Sequence, residues 1–192
     1  MTSLQEVTDY WFEKPNDYQK WFFSGSTLDA HITNVFGTLL NKTIQTKEPV
    51  IKLTDKVAKI ILLDQFSRHI YRGKASAFAS DNISLEISKS LLQPSSLQEF
   101  NKLPTINKMF ALMPLQHSEN IDDKDILLHW INSQLDNPDD DQNIYKSLIE
   151  HTNGHKQVLE KYGRYPKRNI ALGRISTVEE LEYIKNNPKG AY

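Results

Sequence analysis

The sequence contains no cysteine, which excludes disulfides, thiolate nucleophiles and cysteine-ligated zinc. It has no long apolar run. The stretch at 60–63 is far short of the about 20 residues that span a bilayer, so a membrane is not an expected partner. Residues 1–10 hold Glu6 and Asp9 and lack a basic start followed by an apolar stretch, so no signal peptide is expected and a cytoplasmic location is. No charge of one sign dominates: 23 basic against 24 acidic residues leave a net charge of −1. Such a surface is not expected to coat a polyanion, which removes nucleic acid from the expected partners. There is no glycine-rich phosphate loop, dinucleotide fingerprint or two-metal motif. No cofactor, no metal and no named reaction are therefore expected.

Arginine is also scarce, and its placement is informative. Against 18 lysines there are only five arginines, Arg68 and Arg72 in one short segment and Arg164, Arg168 and Arg174 in another. A chain this rich in lysine keeps arginine where the planar, five-donor fork matters, because only guanidinium grips a carboxylate or phosphate bidentately.

What the chain does contain is helical periodicity. The 39% hydrophobic and 24% charged content of the 192 residues is enough for a folded core, read as a single domain over 1–192. Ser3 with Glu6 forms a capping-box pattern ahead of Leu4, Val7 and Trp11. Ser26 with Asp29 opens the next helix, where Leu28, Ile32, Val35, Phe36, Leu39 and Leu40 follow an i, i+3, i+4 pattern. Thr54 is placed to cap a third, mostly buried helix running to about Tyr71. Ser80 or Asp81 opens a helix that closes near Pro94. A stripe of Ile106, Met109, Phe110 and Met113 is expected to end or kink at Pro114. Leu127, Leu128, Ile131 and Leu135 mark another helix, and Asn137-Pro138 reads as an N-cap with proline in the first helical position. Gly163 is a natural stop for the helix carrying Ile144, Leu148, Leu159 and Tyr162, and Ser176 or Thr177, with Glu179 and Glu180 three residues on, opens the last one in a capping-box pattern. The fold class is all-α, built from antiparallel helical hairpins.

The chemistry concentrates in three places. In the run LLDQFSRHIYRG at 62–73, Asp64 and Arg68 have ion-pair spacing, Arg72 is one turn further, and Gln65 and His69 make a parallel polar row. In YGRYPKRN at 162–169, Arg164, Arg168 and Asn169 sit in a glycine- and guanidinium-rich loop that leads to a capped helix start, which suits an anion. Arg174 there reads as holding the last helix in place. In MPLQHSE at 113–119, His117 and Glu119 follow a proline on an expected loop and have the character of an acid–base pair. His151 and His155 are four apart on one helix; the same spacing serves metal ligands, but a third ligand is not evident. Trp11, Trp21 and Trp130 read as core anchors.

These three motifs, with AFASD at 77–81, the LGR at 172–174, Ser176-Thr177 and the pairs Trp11-Phe12 and Trp21-Phe22, resemble the domain of unknown function 924 family across nearly the whole chain. The resemblance implies an all-helical, tetratricopeptide-repeat-like superhelix and assigns no activity. Four positions depart from the family pattern: Ser67 for proline, His69 for asparagine, Gln116 for methionine and Lys167 for histidine. Loss of the proline is expected to leave the helix around Asp64 more regular.

Two functions fit these residues. In the preferred one, Asp64, Arg68, Arg72, Arg164, Arg168 and Asn169 bind a small anionic ligand, phosphate or carboxylate, while His117, Glu119 and His155 move protons. In the alternative, the same groups are internal struts of a helical-repeat-like scaffold that binds a peptide or protein, which places the arginines in closed ion pairs and a groove elsewhere. The oligomeric state is open.

Overall fold

The computed structural model describes residues 2–15, 17–22, 25–46 and 48–188, and among these all regular structure is helical, with no strand. The helices are α1 (Leu4–Trp11), α2 (Tyr18–Phe22), α3 (Ser26–Thr46), α4 (Leu53–Ile60), α5 (Ser67–Ile70), α6 (Asp81–Leu91), α7 (Pro94–Asn101), α8 (Thr105–His117), α9 (Ile121–Gln134), α10 (Gln142–Tyr162), α11 (Asn169–Leu172) and α12 (Val178–Asn186). Among the described residues no helix is long and apolar enough to cross a membrane.

The chain divides into two compact units, Met1–Arg72 with Ser76–Pro114, and Gly73–Ala75 with Leu115–Tyr192. In the first, α1 opens on the expected capping box of Ser3 and Glu6 and buries Val7 and Trp11. Those two lie four residues apart, on one helical face. Trp11 meets Phe66 and Phe110 edge-on at ring separations of 5.4 and 5.5 Å, and Phe36 of α3 packs on Phe66 at 4.8 Å. The Trp21 indole donates to the Trp11 carbonyl at 2.9 Å. Three of these rings are fully buried and Phe36 nearly so, so this aromatic cluster is the core of the unit.

Several local expectations are corrected. The third helix starts at Leu53 after Lys52, with no side-chain cap from Thr54. Between α4 and α5 the chain makes a π-helical turn at Ile61–Phe66, so the region around Asp64 is less regular than loss of the proline suggests. The Ser67 hydroxyl lies 2.6 to 3.2 Å from the carbonyls of Leu63, Asp64 and Ala77. A hydroxyl there competes for ladder carbonyls, which favours the wider turn. Pro94 does not merely close α6; it opens α7, a helix the apolar pattern did not reveal, at its first position. Pro114 lies inside α8, which runs on to His117. The missing N–H costs a ladder bond, and full burial of Phe110, Leu112 and Leu115 offsets it. His117 is therefore a helix end and not a loop residue.

In the second unit, α9 and α10 form an antiparallel hairpin. Trp130 meets Tyr145 near the turn and Asp125 bonds Lys156 farther along. Asn137-Pro138 does not start a helix. The turn is closed by Asn137 donating to Asp140 at 2.9 Å, and Asp141 caps α10 through the Asn143 amide. Gly163 ends α10 in the left-handed conformation, at φ 68°, as its position predicts. Thr177 and Glu180 form a capping box at the start of α12.

Candidate functional site

In the first unit the π turn carries Asp64 into complete burial. Gln65 donates to its Oδ2 at 2.6 Å, and Arg68 Nη1 lies 3.0 Å from its Oδ1. The expected Asp64–Arg68 pair is thus present, and Arg68 also reaches Asp81 through Nη2 at 3.0 Å. Arg72 does not extend this row. It turns to Asp29 in the first turn of α3, with Nε–Oδ2 at 2.6 Å and Nη2–Oδ1 at 2.8 Å. His69 Nδ1 lies 2.7 Å from the same carboxylate. The Arg72 fork, then His69, hold the Asp29 carboxyl below its ordinary value against the opposing effect of burial. Burial lowers the His69 imidazole despite the Asp29 charge.

In the second unit, Glu119, His155, Arg168 and the His117 carbonyl meet around Tyr165, while Arg164 and Asn169 meet on Glu180. A short 3-10 turn, Pro166–Arg168, follows Tyr165 and leads into α11. The Tyr165 amide donates to Glu119 Oε1 at 2.8 Å, and its carbonyl accepts from Arg174 at 3.0 Å. Its hydroxyl donates to the Gln116 carbonyl at 2.9 Å and lies 3.0 Å from His155 Nδ1. Because that hydroxyl hydrogen is used on Gln116, the His155 proton belongs on Nδ1. Arg168 lies over the Tyr165 ring at 4.8 Å and donates to the His117 carbonyl at 2.8 Å. Gln116 places its amide oxygen 2.8 Å from the Thr152 hydroxyl.

Two carboxylates close the remaining forks. Glu119 takes Arg174 bidentately, at 2.7 and 2.9 Å. Glu180 takes Arg164 bidentately at 2.7 and 2.9 Å, together with the Thr177 amide at 2.8 Å and the Asn169 amide group at 3.1 Å. The Arg164 fork first, with these donors, holds the Glu180 carboxyl down to about 2. Burial pushes the Glu119 carboxyl up, but the Arg174 fork and the Tyr165 amide outweigh it and leave it below its ordinary value. Burial, with the charges of His117, Lys124 and Arg168 around it, depresses His155 to about 2, so its imidazole is neutral at neutral pH. His151 bonds the Ser147 carbonyl of its own helix. Among the described residues no group of three or more His, Asp or Glu side chains is placed to hold a metal ion.

Glu180, Asp29, Asp81, Tyr165 and Gln116 complete these networks without having been singled out as site residues. Glu180 was visible only as half of a capping box, and Asp29 only as a first-turn acid.

The chain belongs to the family described as bacterial protein of unknown function (DUF924), whose model matches residues 7–188. Its fold is similar to that of the protein of unknown function ATU0120 from Agrobacterium tumefaciens, with a TM-score of 0.78 and 23% identity over 96% of this chain and 97% of that one. No curated protein matches the chain.

Proposed function

We propose that this protein is a non-catalytic binding module in which the guanidinium groups are internal struts. The observation that supports it is where the forks go. Four of the five arginines are paired with the chain's own carboxylates: Arg68 with Asp64 and Asp81, Arg72 with Asp29, Arg164 with Glu180 and Arg174 with Glu119. A fork that holds its own carboxylate is neutralised, and a phosphate would have to displace that partner. The acid–base reading of His117, Glu119 and His155 is weakened in the same way. General acid–base catalysis favours groups that titrate near the working pH, whereas Glu119 and His155 are both moved away from neutrality.

A depression of about 440 Å³ in the first unit, lined by Gln5, Thr8, Asp9, Phe12, Val57 and Asn107 among others, mixes amides and hydroxyls with apolar groups. That mixture suits an extended peptide, with backbone groups met by Gln5 and Asn107 and a side chain by Phe12 and Val57. The tetratricopeptide-repeat-like arrangement and the cytoplasmic location expected from the sequence belong to this same reading.

The test is thermal unfolding in millimolar inorganic phosphate or citrate, against sodium chloride of equal ionic strength. Midpoints that agree within about 1 °C support struts. A saturable rise of several degrees that Arg168→Ala removes would restore the anion-pocket reading, since a ligand that binds only the folded state must stabilise it.

A further inference from the structure

The second unit carries an apolar surface that the proposed function does not use. Ile170 of α11, Ile175 in the following loop, and Val178 and Leu181 of α12 are 83%, 91%, 81% and 57% exposed. They fall within twelve residues of one another. Val178 and Leu181 share a face with Glu182 and Lys185, at i, i+3, i+4 and i+7, while Glu180 points inward to Arg164 from the opposite face. Single exposed aliphatic residues are ordinary, but a group of four confined to one short segment is not.

We propose that this face is a dimer interface, covered by the same face of a second copy of this chain. The first argument is size. The four side chains expose on the order of 400 Å² of apolar surface, within the about 300–600 Å² of a monomer's largest, often functional, patch. A standard interface buries about 800 Å² per partner and is a little over half apolar, so this is about the apolar area one side of such an interface needs. The second argument is charge. A two-fold interface must be self-complementary, and α12 presents both signs beside its apolar residues, Glu182 and Lys185, each exposed. Antiparallel pairing of two α12 helices about Leu181 leaves Glu182 of each copy about 7–8 Å along the axis from Lys185 of the other, within reach of the two long side chains. Glu179 and Glu182 at the rim also disfavour an anionic lipid surface as the occupant. A net charge of −1 leaves little long-range repulsion between copies.

The experiment is sedimentation equilibrium of the full chain over a wide concentration range. The mass is expected to rise from 22.2 kDa toward twice that value. Leu181→Glu and Val178→Glu, at exposed positions, are expected to stay monomeric with unchanged circular dichroism. Lys185→Glu is expected to weaken the dimer at least tenfold, and adding Glu182→Lys to restore it. A wild-type chain that remains monomeric at high micromolar concentration overturns the proposal. So does a dimer that survives both glutamate substitutions, because a different surface then holds it.

Discussion

Replacing Arg174 by lysine removes a fork and keeps a charge. In the structure Arg174 gives two bonds to Glu119, at 2.7 and 2.9 Å, and a third to the Tyr165 carbonyl at 3.0 Å. Glu119 in turn receives the Tyr165 amide. The two side chains are 23% and 27% exposed, between the surface pairs worth about 0.2–1 kcal/mol and the buried pairs whose disruption costs about 3–5 kcal/mol. A lysine ammonium reaches one carboxylate oxygen and leaves the second partly satisfied by Tyr165. We expect a loss of about 1–2 kcal/mol for Arg174→Lys, and about 2–3 kcal/mol for Glu119→Ala, which leaves the guanidinium with the Tyr165 carbonyl alone and the Tyr165 amide without its acceptor. For a chain of this length each kcal/mol moves the midpoint by about 2–4 °C. The assay is urea unfolding followed by far-ultraviolet circular dichroism at pH 7, repeated at lower pH. Glu119 has a lowered folded-state value, so its contribution is complete above the unfolded carboxyl value of 4.5 and disappears as pH falls through the folded one. The Arg174→Lys deficit should shrink over that window. A change below about 0.5 kcal/mol at pH 7, or a deficit that persists unchanged in acid, refutes the reasoning.

Three further outcomes follow from the same geometry. His155 is depressed to about 2 from 6.5, so below pH about 6 the unfolded chain takes up a proton that the folded chain refuses. Stability should fall by up to about 1.4 kcal/mol per pH unit on that account, and His155→Gln should flatten the slope between about pH 6 and 4; equal slopes would show that the imidazole is not held neutral. A carboxyl carbon-13 titration should place Glu180 near 2 and move it up toward the ordinary 4.5 in Arg164→Ala, whereas a wild-type midpoint near 4.5 contradicts the pairing. Gly163→Ala should cost about 1 kcal/mol in urea unfolding through backbone strain alone, because φ is +68° and nothing lies within 4 Å of an added Cβ; an unchanged midpoint would count against the left-handed helix end.

The local grammar of the chain was readable and its long-range pairing was not. Gly163 and the start of the last helix depend on a few residues, so sequence placed the one and narrowed the other to Ser176 or Thr177, of which the structure uses Thr177 with Glu180. Asp64 and Arg68 were also legible, being one turn apart. The acceptors of Arg72 and Arg174 lie 43 and 55 residues away, and no periodicity marks Asp29 or Glu119 as their partners. The π turn at Ile61–Phe66 and the unbroken helix through Pro114 depend on burial around them, which overrides local preference. The scarcity of arginine pointed correctly to specific pairing, and only the fold showed that the partners of four of the five are carboxylates of the chain itself.

The most direct test of the strut account is nuclear magnetic resonance of the guanidinium groups in protein labelled with nitrogen-15 arginine. Closed bidentate pairs should give Arg164 and Arg174 slowed rotation about the Nε–Cζ bond, resolved Nη signals, and no shift when inorganic phosphate or citrate is added. Averaged, freely rotating Nη signals, or saturable shifts on adding phosphate, would contradict it and identify these arginines as ligand contacts.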